Sequence, residues 1–362
     1  MIISSMMKYF FKKLTMYKRK ILVGVVLIIA ALGLYFTYVF YRVFFLSNTA
    51  FANDKSYVFI ATGTTMSDLI TDLSPLLKST EDFRLAADKK GYSSRIKAGK
   101  FALDNGMSNN DIINRLRSNP LPIRVTFNNQ ERLEDLAGKI ANQIEADSLS
   151  LINQFYNKAF LTAQGFTPEN ALAMYLPNTY SFFWNTSAEE FQIRMLKEYN
   201  RFWTNERLEA AKKVGLTQTE VIALAAVVQK ESVKSDERAR IAGVYLNRLK
   251  RNIRLQADPT VIYAMKKNTQ NFDLVIKRVL YKDLLLDSPY NTYKYRGLPP
   301  GPITMPDVSS IDAVLFPEAH SYLYFVADIN RMGYHKFART LKEHNQNRIS
   351  YVRWLNKQKL YR

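Results

Sequence analysis

The sequence predicts an α+β protein: an N-terminal transmembrane helix, a small α+β module, and a larger mixed α+β domain beyond it. Three observations carry this. Ile21 to Tyr41 is uncharged and almost wholly apolar. After it, short β-branched and aromatic runs alternate with stretches of helical periodicity. The chain's 362 residues, 47% hydrophobic and 13% aromatic, suffice for two or three compact units and exclude a mainly disordered chain.

The apolar run comes first. As a helix, Ile21–Tyr41 would span about 31 Å, close to the hydrocarbon thickness of a bilayer, and a transmembrane segment is placed at 21–46. Residues 1–20 hold Lys8, Lys12, Lys13, Lys18, Arg19 and Lys20 and no acid. The positive-inside tendency therefore makes this segment cytoplasmic and sends the bulk of the chain outside. Tyr35, Tyr38 and Tyr41 crowd the far end, where amphipathic rings suit headgroups. The rival is a cleaved signal peptide, with Ala50-Phe51-Ala52 as a small-x-small site. Against it, the run exceeds a usual h-region of roughly 7–15 residues, and Arg42 separates it from that site.

Composition narrows the chemistry. The formal net charge is +19, a basic balance that attracts nucleic acid, anionic lipid or an acidic wall polymer. Export removes cytoplasmic nucleic acid from that set. The absence of cysteine rules out disulfides, thiolate metal sites and a Cys nucleophile. His320, His335 and His344 lack the short spacing of a helical metal pair, so neither a metal nor another cofactor is expected.

Residues 53–56 read as a polar linker. Tyr57–Thr62 reads as a strand and Met66–Leu77 as a helix. Ile96–Leu103 and Ser108–Arg117 repeat that order, with a local echo between Gly63-x-x-Met66-Ser67 and Gly106-Met107-Ser108. The module at 55–125 resembles the LysM-type wall-binding subdomain, and equally an ordinary small α/β packing unit. Asn119-Pro120-Leu121-Pro122 punctuates the chain, and Ile123–Phe127 follows as a strand. Residues 126–215 form a mainly helical connecting region, 216–345 hold the chemistry, and 346–362 form a basic, helical, solvated tail.

Thr217-Gln218-Thr219-Glu220 has capping-box form. In the helix it opens, Leu224, Val227, Val228 and then Glu231 share one face, which places a carboxyl on the stripe that should meet the core. Burial raises a carboxyl pKa, and a proton donor at neutral pH needs that shift. The bland alternative is a Glu that snorkels or pairs with Arg238, Arg240 or Arg248. A second amphipathic helix follows at Asp236–Lys250, and Asp258 is placed to cap a helix beginning at Pro259 or Thr260. Proline-stiffened loops carrying Tyr and Asn, at Ser288–Tyr293 and Gly297–Ile303, suit sugars, whose apolar ring faces meet aromatic rings and whose hydroxyls meet amides. Ordinary turn chemistry explains them as well.

Taken together, Gln229-Lys230-Glu231-Ser232, Asn247-Arg248-Leu249, Leu255-Gln256-Ala257-Asp258-Pro259-Thr260-Val261-Ile262-Tyr263, Tyr290-Asn291-Thr292-Tyr293, Gly297-Leu298-Pro299-Pro300-Gly301 and Tyr322–Ala327 resemble the endolytic murein transglycosylase family (the MltG or YceG-like proteins). His335, Phe337, Thr340 and His344-Asn345 continue the order. The resemblance implies a single-pass inner-membrane protein with a periplasmic catalytic domain and no cofactor. It implies an enzyme that cuts peptidoglycan glycan strands internally, at the MurNAc–GlcNAc β-1,4 bond, leaving a 1,6-anhydro end and limiting nascent strand length beside synthases of the penicillin-binding class. It assigns Glu231 as the catalytic acid and Gln256, Asp258, Asn291 and Tyr293 to the glycan cleft. One departure stands at Leu176-Pro177-Asn178-Thr179-Tyr180, where Asn178 replaces an acid. Two alternatives stay open: a muramidase-type hydrolase using Asp258 or Asp236 as second carboxylate, and a non-enzymatic wall-binding scaffold.

Overall fold

A computed structural model describes residues 2–276 and 278–357. The expected tail lies outside the described residues from 358 onward. The described chain forms two compact units, one of residues up to 123 with 183–185, the other of 124–182 with 186 onward.

The first unit opens with α1 (Ile2–Phe45), in which Met16–Phe45 is long and apolar enough to cross a membrane. The remaining elements are β1 (Lys55–Ile60), α2 (Met66–Leu73), α3 (Thr80–Lys89), β2 (Gly99–Asp104) and α4 (Asn109–Arg117). β1 and β2 are antiparallel, from Lys55 opposite Asp104 to Ile60 opposite Gly99. Two corrections follow. A whole helix, α3, stands where no element was expected; Ser79 caps it and Glu81 and Asp82 fill its first turn, both favourable to a helix start. The expected helix over Met66–Leu77 stops at Leu73, because Pro75 carries the chain into a 3₁₀ turn.

The local echo has a physical cause. Gly63 and Gly106 both take positive φ, a conformation open to glycine. Each leads two residues later into a capping box, Thr65 with Asp68 and Ser108 with Asp111. Nor are residues 46–54 a free tether. Asn48 is buried; its Nδ2 donates to Asn109 Oδ1 (2.6 Å) and Ser79 O (2.8 Å), and its Oδ1 accepts from Ser79 N (2.8 Å). Asn109 in turn donates to Val43 O. The last turn of α1, with Val43 in the core, is thereby fastened to the module.

The second unit holds most of β3 (Pro122–Phe127) and of its partner β4 (Asn178–Phe183), then the helices α5 (Leu133–Ala141), α6 (Ser148–Phe155), α7 (Lys158–Ala163), α8 (Ala188–Phe202), α9 (Asn205–Val214), α10 (Gln218–Glu231), α11 (Arg238–Lys250), α12 (Asp258–Thr269) and α13 (Val308–Leu315). The hairpin β5 (Tyr324–Ala327) and β6 (His335–Ala338) and the closing α14 (Leu341–Lys357) complete it. The capping box of α10 forms as expected, between Thr217 and Glu220. Its packing differs: Val221 through Val228 are all buried, so α10 is a central helix and not an amphipathic one. The tail helix starts earlier than expected, and its His344 stacks on Tyr324 at 5.3 Å.

Gly301 explains part of the Gly-Leu-Pro-Pro-Gly run. A Cβ there would stand 1.9 Å from the Glu169 carbonyl oxygen, so the loop lies flat against residue 169 only without a side chain. Gly301→Ala should therefore cost about 1–3 kcal/mol, the usual penalty for overpacking; a urea unfolding midpoint equal to wild type would refute this.

Candidate active site

α10 runs through the core and ends at Glu231, so the helix that fixes this carboxyl is itself immobilised by burial. The residues beside it are tied elsewhere. Gln229 Oε1 accepts from Asp307 N (2.5 Å) and Ser310 Oγ (3.0 Å). Lys230 pairs with Glu131, which also holds Lys266. Ser232 is buried, and its hydroxyl reaches Glu237 at 3.5 Å.

Glu231 keeps intermediate exposure as a residue, but its carboxyl is enclosed, with Tyr245 Oη donating to Oε1 at 2.7 Å. Burial pushes its pKa up to about 7; the Tyr245 hydroxyl and Arg248 pull it down, and Asp258 pushes it further up. None of Arg238, Arg240 and Arg248 forms an ion pair with it among the described residues. Arg240 pairs with Glu318 and Arg238 with Asp307. Arg248 is buried and donates to three carbonyls, of Leu323 (2.6 Å), Leu255 (2.8 Å) and Arg254 (3.3 Å).

The motif segment Leu255–Tyr263 and the loop Ser288–Tyr293 meet. Gln256 N donates to Thr292 O (3.1 Å), and Ala257 N to Thr292 Oγ1 (3.0 Å). The hydroxyls of Thr260 and Thr292 lie 2.8 Å apart in the core. Gln256 takes φ +48, a left-handed turn rare for a residue with a side chain, and it is exposed. Asp258 does not cap α12. Ala257 is the cap residue and no side chain fills that role; the Asp258 carboxylate instead accepts from Tyr293 Oη at 2.6 Å. Burial raises the Tyr293 hydroxyl pKa, and the Asp258 and Glu231 charges raise it further, so this pair and Glu231 share one electrostatic neighbourhood.

Asn291 sits beneath the surface. It is fully buried; its amide donates to Leu284 O (3.0 Å) and Leu286 O (2.8 Å), and its oxygen accepts from Tyr293 N (3.0 Å). It shapes the loop that presents Tyr293. Asp236 is exposed and accepts from Tyr334 Oη (3.1 Å). At position 178, Asn178 Oδ1 turns back to the next backbone N–H (2.7 Å).

Sequence reasoning missed two partners. Tyr245 was visible only as part of an apolar face, since nothing local shows that its hydroxyl reaches across to α10. Glu237 is buried and accepts from both the backbone N–H (2.8 Å) and the ring Nδ1 (2.7 Å) of His335. His335 packs on Phe325, and Phe325 on Tyr245, both edge to face. The position of His335 in the motif order was its one signal.

Comparison with known proteins places this arrangement. Residues 58–349 match the YceG-like family. A Bacillus subtilis protein named endolytic murein transglycosylase is 33% identical over 312 residues, which cover 81% of this chain and 84% of that one. A Streptococcus pneumoniae protein of the same name is 28% identical over 332 residues, covering 83% of this chain and 59% of its own length. The crystal structure of a putative YceG-like protein from Listeria monocytogenes matches with a TM-score of 0.53 at 28% identity, covering 82% of this chain and 99% of that one. With most of its length matched in sequence and in fold, the chain belongs to the YceG-like family.

Proposed function

We propose that this protein is a membrane-anchored lytic murein transglycosylase that cuts glycan strands internally, with Glu231 as its acid and base. The observation that carries the reading is a carboxyl fixed by a buried helix, with a pKa pushed up to about 7, in a family whose relatives bear that name. At neutral pH a large share of Glu231 is protonated and can donate to the oxygen leaving C1 of N-acetylmuramic acid. The C1–O4 bond breaks as that proton transfers. The carboxylate so formed removes the proton of the muramyl 6-hydroxyl, O6 closes on C1, and Glu231 is protonated again beside a 1,6-anhydro end. Tyr245 holds the carboxyl through Oε1 and leaves Oε2 for both transfers. Gln256, Asp258 and Tyr293, on the joined loops, meet the sugars, and Asn291 supports them from below.

The anchor is the apolar part of α1, with the N-terminus cytoplasmic and the chain that follows α1 beyond the inner membrane. There the enzyme limits nascent strands made by penicillin-binding synthases, and the first unit, LysM-like in outline, contacts the wall. A hydrolase would instead need water activated by a second carboxylate. Asp258 is the candidate, since it acts electrostatically on Glu231, but its carboxylate already receives Tyr293 Oη.

Glu231→Gln should lower strand cleavage by about 10³-fold, within the range for loss of a general acid–base group. Mass spectrometry of the digest should show anhydro ends from the wild type, and water-derived reducing ends would establish the hydrolase instead. Because Glu231 must be protonated to donate, kcat/KM should fall as pH rises through about 7. Tyr245→Phe removes a bond that stabilises the carboxylate, so this alkaline limb should move upward by up to about one unit; a downward move would contradict the assignment.

The same shift governs stability. Glu231 holds a proton in the folded chain that an unfolded carboxyl releases near its ordinary value of 4.5. Its contribution therefore falls as pH rises from there to about 7 and stays flat above. Glu231→Gln should gain on the order of 2 kcal/mol over wild type at pH 8, allowing for partial exposure, and nothing at pH 4. Paired urea titrations read this directly, and a gain independent of pH would rule the explanation out.

A further inference from the structure

A cavity of about 460 Å³ lies in the second unit, and neither Glu231 nor Asp258 lines it. One side is aromatic, built from Tyr156, Tyr263, Phe272 and Tyr290. Most of its charged groups are already engaged. Glu131 is held by Lys230 and Lys266, Arg132 by Asp135, and Glu134 accepts from Tyr156 Oη at 3.1 Å.

Glu169 and Lys267 are different. Both line the cavity, both are exposed, and neither has an ion-pair partner among the described residues. Tyr290, buried beneath them, relates the two. Its hydroxyl lies 3.5 Å from the Glu169 carbonyl oxygen, while Lys267 Nζ stands 4.8 Å from its ring centroid. The Glu169 charge also raises the Tyr290 hydroxyl pKa, after burial, to about 12. One unpaired carboxylate and one unpaired ammonium on the lining of the same aromatic-walled cavity complement a ligand that carries an ammonium and a carboxylate separated by a short apolar stretch. A strand stripped of peptide carries lactyl carboxylates but no ammonium and would leave Glu169 unmatched; a short peptide would satisfy both charges.

A second cavity, of about 330 Å³, shares Glu131 and Tyr263 with the first. It is also lined by Lys230 and Pro259, the chain neighbours of Glu231 and Asp258. The two cavities therefore share a wall, and residues adjacent in sequence to Glu231 and Asp258 line the second. Gly301 lets its loop pack directly on the residue 169 backbone, which fixes the segment that carries Glu169.

We infer that the cavity bearing Glu169 and Lys267 receives the peptide borne by a murein strand, so that the enzyme selects peptide-bearing glycan over stripped glycan. This rests on the transglycosylase reading and names what its substrate must carry. The test uses full-length protein in detergent and two substrates: peptide-bearing strands, and the same strands stripped by an amidase. Lys267→Glu and Glu169→Lys change exposed residues outside the proposed catalytic machinery. Each should raise KM on peptide-bearing strands by about 10-fold, the scale of one lost charge-assisted bond, with kcat unchanged and stripped strands cut as by wild type. Equal losses on both substrates, or no loss on either, would overturn the peptide assignment alone. A wild-type protein that cuts neither substrate would overturn the transglycosylase reading and this inference with it.

Discussion

The hydroxyl of Tyr245 against the carboxyl of Glu231 is the contact on which the rest of the site depends. Enclosure alone would drive the acid to a pKa at which it never ionises usefully; a fully solvated carboxyl would never be protonated. The 2.7 Å bond tempers the burial and leaves the group near neutrality, where it can give a proton and take one back. This balance requires rigid placement on both sides. α10 supplies it by being buried along Val221–Val228. α11 supplies it through Asn247 and Arg248, whose side chains are bonded to carbonyls of residues 320, 322 and 323.

The same economy shapes the neighbouring loops. Thr292 and Thr260 join two segments more than thirty residues apart through buried hydroxyls, and that junction brings Tyr293 onto Asp258. Several motif residues thus act as scaffold and not as contacts. Asn291 spends its amide on backbone carbonyls, Gln229 fixes the start of α13, and Gly301 clears space for residue 169. In the first unit Asn48 plays the comparable part, binding the chain that leaves α1 to two helix starts.

Local signals in the sequence carried much of this. The capping box at Thr217, the apolar span and the strands near 57–62, 96–103 and 123–127 are set by residues within a few positions of one another and are legible locally, whereas β4, β5 and β6 were not read as strands. The helix at Thr80–Lys89 was missed because its buried face is only Phe83, Ala86 and Ala87, although Ser79 with Glu81 and Asp82 was a readable start. Asp258 was misread because a residue before proline at a helix start looks like a cap; only the fold brings Tyr293 to it. Glu231 was legible from its place on an apolar face, although that face proved to be the whole helix. Tyr245, Glu237 with His335, and the cavity around Glu169 and Lys267 join residues distant in sequence, and no local pattern reports such meetings.

The central claim concerns the proton on one side chain, and titrating that side chain tests it most directly. Carbon-detected NMR of glutamate-labelled protein, with the Glu231 resonance assigned by its loss in Glu231→Gln, should show a midpoint near 7. A midpoint near 4.5, the ordinary value for a glutamate carboxyl, would mean that the group is ionised throughout the neutral range and does not serve as the proton donor.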